Sequence, residues 1–310
     1  MKIFIVLTMS TIMEDIISYR KNPKYKVVRS MSEFLWYDNI IRSLEERGHK
    51  VFMGDTWGTY AKYRRQKPIF LVDHNKLKVV AEKGAKYGIN NSERVYMMGW
   101  WGYKSLDCSK RLKSIKFKDG SHFDLKHNLT AYKWCNYNSY LGFNTNTLFP
   151  KISKRKYENY GLIWGKRPGD VFEYWNARKK FIEYLCKRGI KLYTVCDKPI
   201  DIEGVINLGT LNKLEYSQLL SDAKFFLGLG NPKFGLAVLE ALYYKTPIVC
   251  REKQLPPGYD KSPNCYTYED KNKEKIADLL ENIKFKENDE IVKRDCSVEE
   301  YNKRLEKIFK

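Results

Sequence analysis

Short apolar runs alternate with amphipathic stretches along this chain. Ile3-Phe4-Ile5-Val6-Leu7 reads as a buried first strand. A helix is predicted from about Glu33 to Arg47, where Leu35, Ile40, Ile41 and Leu44 give one apolar face and Gly48 a stop. Residues 50–53, 69–72 and 95–98 read as strands. Segments 115–118 and 122–125 flank a turn at Asp119-Gly120. Residues 136–150 turn to Asn, Thr and Pro without a sustained period, which predicts a linker. The second half is more regular. Strands over 161–165, 191–195, 205–208, 225–229 and 247–250 alternate with helices over 171–188, 213–223 and 236–244, and helices over 270–282 and 298–309 finish the chain. Such alternation predicts an α/β fold with parallel strands and crossover helices, whose ligands bind beyond the carboxyl ends of the strands.

Composition sharpens this picture. A chain of 310 residues has room for two cores, here expected over 1–145 and 146–310, with the last helix placed to pack back on the first domain. At 43% hydrophobic and 30% charged it is globular, not disordered. Lys and Arg number 57 against 37 Asp and Glu, a net charge of +20. That excess suits an anionic partner, whether nucleotide, nucleic acid or acidic membrane surface, without choosing among them. The seven cysteines are scattered, with no C-x-x-C pair and no Cys/His cluster, so reduced thiols are expected and neither a disulfide framework nor a zinc site. Glu14 and Asp15 follow the stretch Ile3 to Met13 at once and no small-x-small cleavage site is visible, which argues against a signal peptide. Residues 225–244 carry Pro232, Lys233 and Glu240 and do not read as a membrane span. A cytoplasmic enzyme follows as the expectation.

The segment Phe225-Phe226-Leu227-Gly228-Leu229-Gly230-Asn231-Pro232-Lys233-Phe234-Gly235 leads into Leu236-Ala237-Val238-Leu239-Glu240-Ala241. This is a strand, a glycine-bearing loop and a helix, an arrangement that aims backbone N–H groups and a helix N-terminus at an anion. Its spacing is neither G-x-G-x-x-G nor a P-loop. Glu240, on the first turns of the helix, has the chemistry to accept hydrogen bonds from two ribose hydroxyls, or to be a plain surface glutamate. Lys166 and Arg167, after the strand ending in Trp164-Gly165, suit a diphosphate or a solvated loop. Ser30-Met31-Ser32-Glu33 fits a capping box, and Glu33 at that helix start is either a cap or a general base. Trp100 and Trp101 beside glycines are stacking or core candidates. His49, His74, His122 and His127 form no metal-like or triad-like spacing, and no Asp-x-Asp pair occurs to hold a divalent ion.

Three blocks resemble the N-acetylglucosaminyltransferase V family of GT-B glycosyltransferases. Gly228-Leu229-Gly230-x-Pro232 with Gly235 and Leu239-Glu240-Ala241 resembles its donor-site loop. Asn138-Ser139-Tyr140-Leu141-Gly142-Phe143 resembles a segment near its interdomain boundary. Ser32-Glu33, Asp38-Asn39, Ile41, Ser43-Leu44 and Gly48-His49 resemble its first long helix. The resemblance implies two Rossmann-like parallel-sheet domains facing across a cleft, and an inverting, metal-independent transfer from UDP-GlcNAc to a glycan or glycoprotein hydroxyl. It implies Glu33 as catalytic base, Glu240 as ribose ligand and Lys166 facing the phosphates. Arg167, Gly209, Leu211, Gly228, Gly230, Asn231, Lys233, Phe234 and Gly235 complete the expected donor contacts, with no metal or other cofactor.

Two departures bear on substrate. Phe234 stands where the family has a second acidic residue, so UDP-xylose or another UDP-sugar stays open as donor. No anchor or stem resembling that of the large secreted members is present, which suits a microbial or viral enzyme. Retaining GT-B enzymes pair glutamates eight apart, and that partner position is Pro232. A retaining transferase, a UDP-sugar epimerase, or a non-catalytic binder of nucleic acid or membrane surfaces, with peripheral membrane association, are the alternatives.

Overall fold

Ile40, Ile41 and Leu44 of the expected apolar face are fully buried on one helix, together with Trp36 and Tyr37, while the Leu35 side chain lies outside the described ones. The computed structural model describes residues 1–7, 31–55, 70–73, 78–82, 94–99, 128–130, 139–164, 175–195, 199–228, 236–251, 254–256, 258–268 and 272–309. The chain divides into two units, Met1–Leu148 with Val298–Lys310, and Phe149–Ser297.

In the first unit, β1 (Lys2–Leu7), β2 (Lys50–Asp55), β3 (Phe70–Asp73), β4 (Lys78–Glu82), β5 (Arg94–Gly99), β6 (Asn128–Thr130) and β7 (Ser139–Tyr140) form one sheet in the order β4-β3-β2-β1-β5-β6-β7. β1 runs parallel to both β2 and β5, and β6 and β7 continue the parallel set. β3 and β4 are antiparallel additions at one edge, so this sheet is mixed where a parallel one was expected. The helix α1 (Met31–Glu45) follows β1, and α2 (Thr145–Leu148) closes the unit. The closing helix of the chain, α8 (Val298–Ile308), returns to this unit with Tyr301 and Leu305 fully buried.

The expected linker over 136–150 is corrected by the structure. Leu141, Phe143, Leu148 and Phe149 are all at most 3% exposed. Hydrogen bonds from α1 hold the segment at Gly142 and Asn144, while Phe149 belongs to the second unit and packs against the Tyr243 and Tyr244 rings there. Trp36 Nε1 donates to the Gly142 carbonyl at 3.0 Å, and Asn39 and Asn144 pair side chain to backbone in both directions at 2.9 and 3.1 Å. Gly142 takes a positive φ of 77°, and a Cβ there would meet Arg304 Nη2 at 2.9 Å. Arg304 itself donates to the Leu141 carbonyl and lies over the Tyr140 ring, tying α8 to the same segment.

The second unit holds six parallel strands in the order β10-β9-β8-β11-β12-β13. They are β8 (Tyr160–Trp164), β9 (Lys191–Thr194), β10 (Val205–Asn207), β11 (Phe225–Gly228), β12 (Ile248–Cys250) and β13 (Cys265–Thr267). Helices α3 (Trp175–Lys187), α4 (Lys213–Asp222), α5 (Leu236–Tyr243), α6 (Lys273–Asn282) and α7 (Glu290–Cys296) accompany them. Ile163, Phe181, Leu185, Leu192, Phe225, Leu227, Val249 and Leu280 form the core. Gly161 is required by close approach, since any Cβ there would overlap the Phe225 ring on the neighbouring strand. β13 and α7 went unpredicted. Each is short, and α7 is started by Asp289, a fully buried cap that accepts from the Ile291 and Val292 amides and from Ser262 and Asn264.

Candidate functional site

The strand order of the second unit reverses direction between β8 and β11, which lie side by side with Gly228 in register with Trp164. Open parallel sheets bind ligands beyond the carboxyl ends at this point, because the crossovers leave on opposite faces and open a crevice. β11 is fully buried over all four residues, and the helix that follows the loop carries Glu240 at its fifth position. Leu236, Val238, Leu239, Ala241 and Leu242 bury that helix in the unit, and Glu240, at 3% exposed, is buried with them.

A carboxylate so placed needs partners. Lys213 Nζ lies 2.5 Å from Glu240 Oε1, and Ser217 Oγ donates to the same oxygen at 2.9 Å. Both donors come from α4, four residues apart and so on one face of the helix. Asn212 and Glu215 close a reciprocal capping box at the start of α4, at 2.9 and 2.8 Å, which fixes where Lys213 leaves the backbone. The lysine ammonium also lies 5.6 and 5.5 Å from the centroids of the Phe149 and Tyr216 rings. Burial, then the negative charge of Glu240, holds the Tyr216 hydroxyl well above its ordinary value. Burial raises Tyr244 as well, with Glu240 adding to it and a hydrogen bond from Ser217 opposing it.

Sequence reasoning found Glu240 and missed Lys213 and Ser217. The signal available was Asn212-x-x-Glu215, a capping signature that marks Lys213 as the first residue of a helix. Of the other expected donor contacts, Gly228 ends β11 and Gly209 is an exposed turn residue with a φ of 66°. Leu211 lines an open cavity of about 590 Å³ with Tyr160, Tyr193, Leu214 and Gln218, which is not lined by Glu240. Lys166, Arg167, Gly230, Asn231, Lys233, Phe234 and Gly235 lie outside the described residues, as do Trp100 and Trp101. Among the described residues no group of three His, Cys, Asp or Glu side chains is placed to hold a metal ion. Cys186, Cys250, Cys265 and Cys296 are free thiols. No helix among the described residues is long and apolar enough to cross a membrane.

In the first unit, Glu33 is the third residue of α1, and its side chain lies outside the described ones. The turns that follow it are anchored at Trp36 and Asn39, and Asn144 Nδ2 reaches Ser43 Oγ at 3.4 Å. Glu33 thus stands on a helix that Gly142 and Asn144 anchor.

Residues 103–277, more than half of the chain, match the family model described as glycosyltransferase family 18. The chain belongs to that family. It is the family of N-acetylglucosaminyltransferase V, so the resemblance of the donor-loop and 138–143 blocks falls within the matched span, while the Glu33 block precedes it. No curated protein sequence matches the chain significantly. Among solved structures, the family 18 chain is similar to Methanocaldococcus jannaschii UDP-GlcNAc 2-epimerase in complex with UDP-GlcNAc and UDP. That likeness has a TM-score of 0.55 at 14% identity and covers 99% of both chains. A putative UDP-N-acetylglucosamine 2-epimerase from Listeria monocytogenes gives 0.52 at 10%, over 99% and 94% of the two chains. Sucrose-phosphate synthase from Thermosynechococcus elongatus gives 0.51 at 9%, over 100% and 95%. These likenesses are of fold: the family 18 chain is a glycosyltransferase of GT-B-like α/β architecture.

Proposed function

We propose that this family 18 chain is an inverting, metal-independent transferase that moves a sugar from a UDP-sugar to a hydroxyl of a glycan acceptor. The observation that carries the reading is Glu240, a buried carboxylate on the helix that follows β11 at the reversal point of the second sheet. That placement suits a ribose whose diphosphate meets the loop amides and helix N-terminus beside it. UDP-GlcNAc is the donor that the family resemblance supports, with UDP-xylose the variant that Phe234 leaves open. The epimerase whose fold is similar was crystallised with UDP-GlcNAc and UDP, which is in keeping with a uridine nucleotide here.

In this reading Glu33 takes the proton of the acceptor hydroxyl as its oxygen forms a bond to the anomeric carbon. The bond from that carbon to the β-phosphate oxygen breaks, and UDP leaves with the electron pair. General-base help of this kind is worth about 10²–10⁴ in rate. Lys166, Arg167 and the amides of the 229–235 loop stabilise the charge that gathers on the departing diphosphate.

Incubation with a panel of UDP-sugars, with and without glycan acceptors and with a chelator present, tests this directly. The expected result is acceptor-dependent UDP release and a β-linked product from an α-linked donor. An α-linked product would favour the retaining reading, and isomerised sugar without acceptor would favour the epimerase. Glu33→Gln is expected to keep UDP affinity and lose transfer. Turnover near wild type would return Glu33 to a capping role.

A further inference from the structure

Lys213 occupies an unfavourable place for a lysine. It is the first residue of α4, where the helix dipole is positive and repels a cation. Its side chain is 9% exposed, so hydration does not compensate. What compensates is Glu240, with its side chain at 4% exposed, on a helix 27 residues further along the chain. Ser217, one turn along α4, adds a second donor to the oxygen that Lys213 already holds. Among the described residues no hydrogen bond is made to Oε2.

We infer that Lys213 and Ser217 are positioning residues for nucleotide recognition: they fill Glu240 Oε1 and fix its rotamer so that Oε2 is the oxygen presented to the ribose hydroxyls. This rests on the ribose-binding reading of Glu240. A buried carboxylate without partners swings toward water, which removes the acceptor that a diol needs. The lysine and the serine hold it in place. The cap at Asn212 and Glu215 keeps the lysine's own origin fixed, and the Phe149 and Tyr216 rings add cation–π attraction to its ammonium. The arrangement therefore makes discrimination between ribose and deoxyribose depend on a residue that does not itself touch the sugar.

The test is the ratio of affinities for UDP and 2′-deoxy-UDP by titration calorimetry. A hydrogen bond to a charged group predicts that the wild type binds UDP about tenfold or more tightly. Lys213→Met is expected to bring the two affinities within about threefold, and Lys213→Arg to restore most of the ratio. Ser217→Ala removes one neutral donor, keeps the ion pair and covers the case in which Lys213→Met does not fold; it is expected to lower the same ratio by a smaller factor. A lysine that only clamps α4 to α5 would weaken both ligands equally and leave the ratio where it was, which would overturn the proposal. A wild type with no preference for UDP would instead overturn the ribose reading of Glu240 itself.

Discussion

Asn39 and Asn144, 105 residues apart, each give a side chain or an amide to the other inside the first unit. The pair fastens α1 two turns after Glu33 to a segment whose composition reads as a connector. Asn39→Ala removes both bonds and leaves the Asn144 amide and carbonyl buried without them. The expected cost is about 2 kcal/mol of stability. Transfer should fall in kcat more than in KM for the donor, because the helix that carries Glu33 loses its anchor while the second unit keeps its residues. Chemical denaturation and steady-state kinetics check both parts, and an unchanged kcat would separate the anchor from catalysis.

Glu240 and Lys213 also set a stability expectation. Removing one member of a buried ion pair strands the other, at about 3–5 kcal/mol, whereas replacing both with apolar residues of similar size is often neutral. Lys213→Met alone should lower the melting temperature markedly. Lys213→Met with Glu240→Leu should recover most of that loss and still fail to bind UDP. Calorimetric melting of the three proteins decides it; a double variant no more stable than the single would count against the pairing.

Gly161 tolerates no side chain, because the Phe225 ring fills the space a Cβ would need. Gly161→Ala should cost about 1–3 kcal/mol through overpacking of β8 against β11. Those strands end at the candidate site, so UDP affinity should drop as well. Gly48→Ala is the control: nothing lies within 4 Å of its would-be Cβ, and only its left-handed φ of 77° resists the change.

Alkali should weaken the second unit. Burial pushes the Cys265 thiol from 9.0 up to about 12 and raises Cys250 and Cys296 too. Folded values above the unfolded ones mean that the native state keeps these protons longer. The stability they contribute is complete below about pH 9 and is lost as pH climbs from 9 toward 12. By pH 10 the Cys265 thiol alone withdraws about 1.4 kcal/mol. Melting temperatures between pH 8 and 10.5 should fall steadily, and less steeply in Cys250→Ala after allowance for its lower starting point. A flat profile would contradict the assignment.

The regular half of the chain was legible because buried parallel strands are continuous apolar runs, as in Phe225-Phe226-Leu227, and crossover helices keep the 3.6-residue period. α1 was legible for the same reason. Residues 141–144 were not, since their partners on α1 and α8 are ones that no local pattern announces. β3 was legible as the strand over 69–72, but its antiparallel partner β4 escaped because the five residues Lys78–Glu82 carry little periodic signal. At the site, Glu240 was visible from its place after a glycine loop. Lys213 reads locally as an ordinary solvated lysine at a helix start, and only the third dimension brings it to its carboxylate.

The closing helix belongs with the first unit, so the polypeptide passes between the units twice, at 148–149 and at 297–298. During synthesis, everything that builds Phe149–Ser297 has emerged before the first unit receives Tyr301, Arg304 and Leu305. A ribosome stalled before codon 298 would thus hold a complete second unit tethered to a first unit still lacking Tyr301, Arg304 and Leu305.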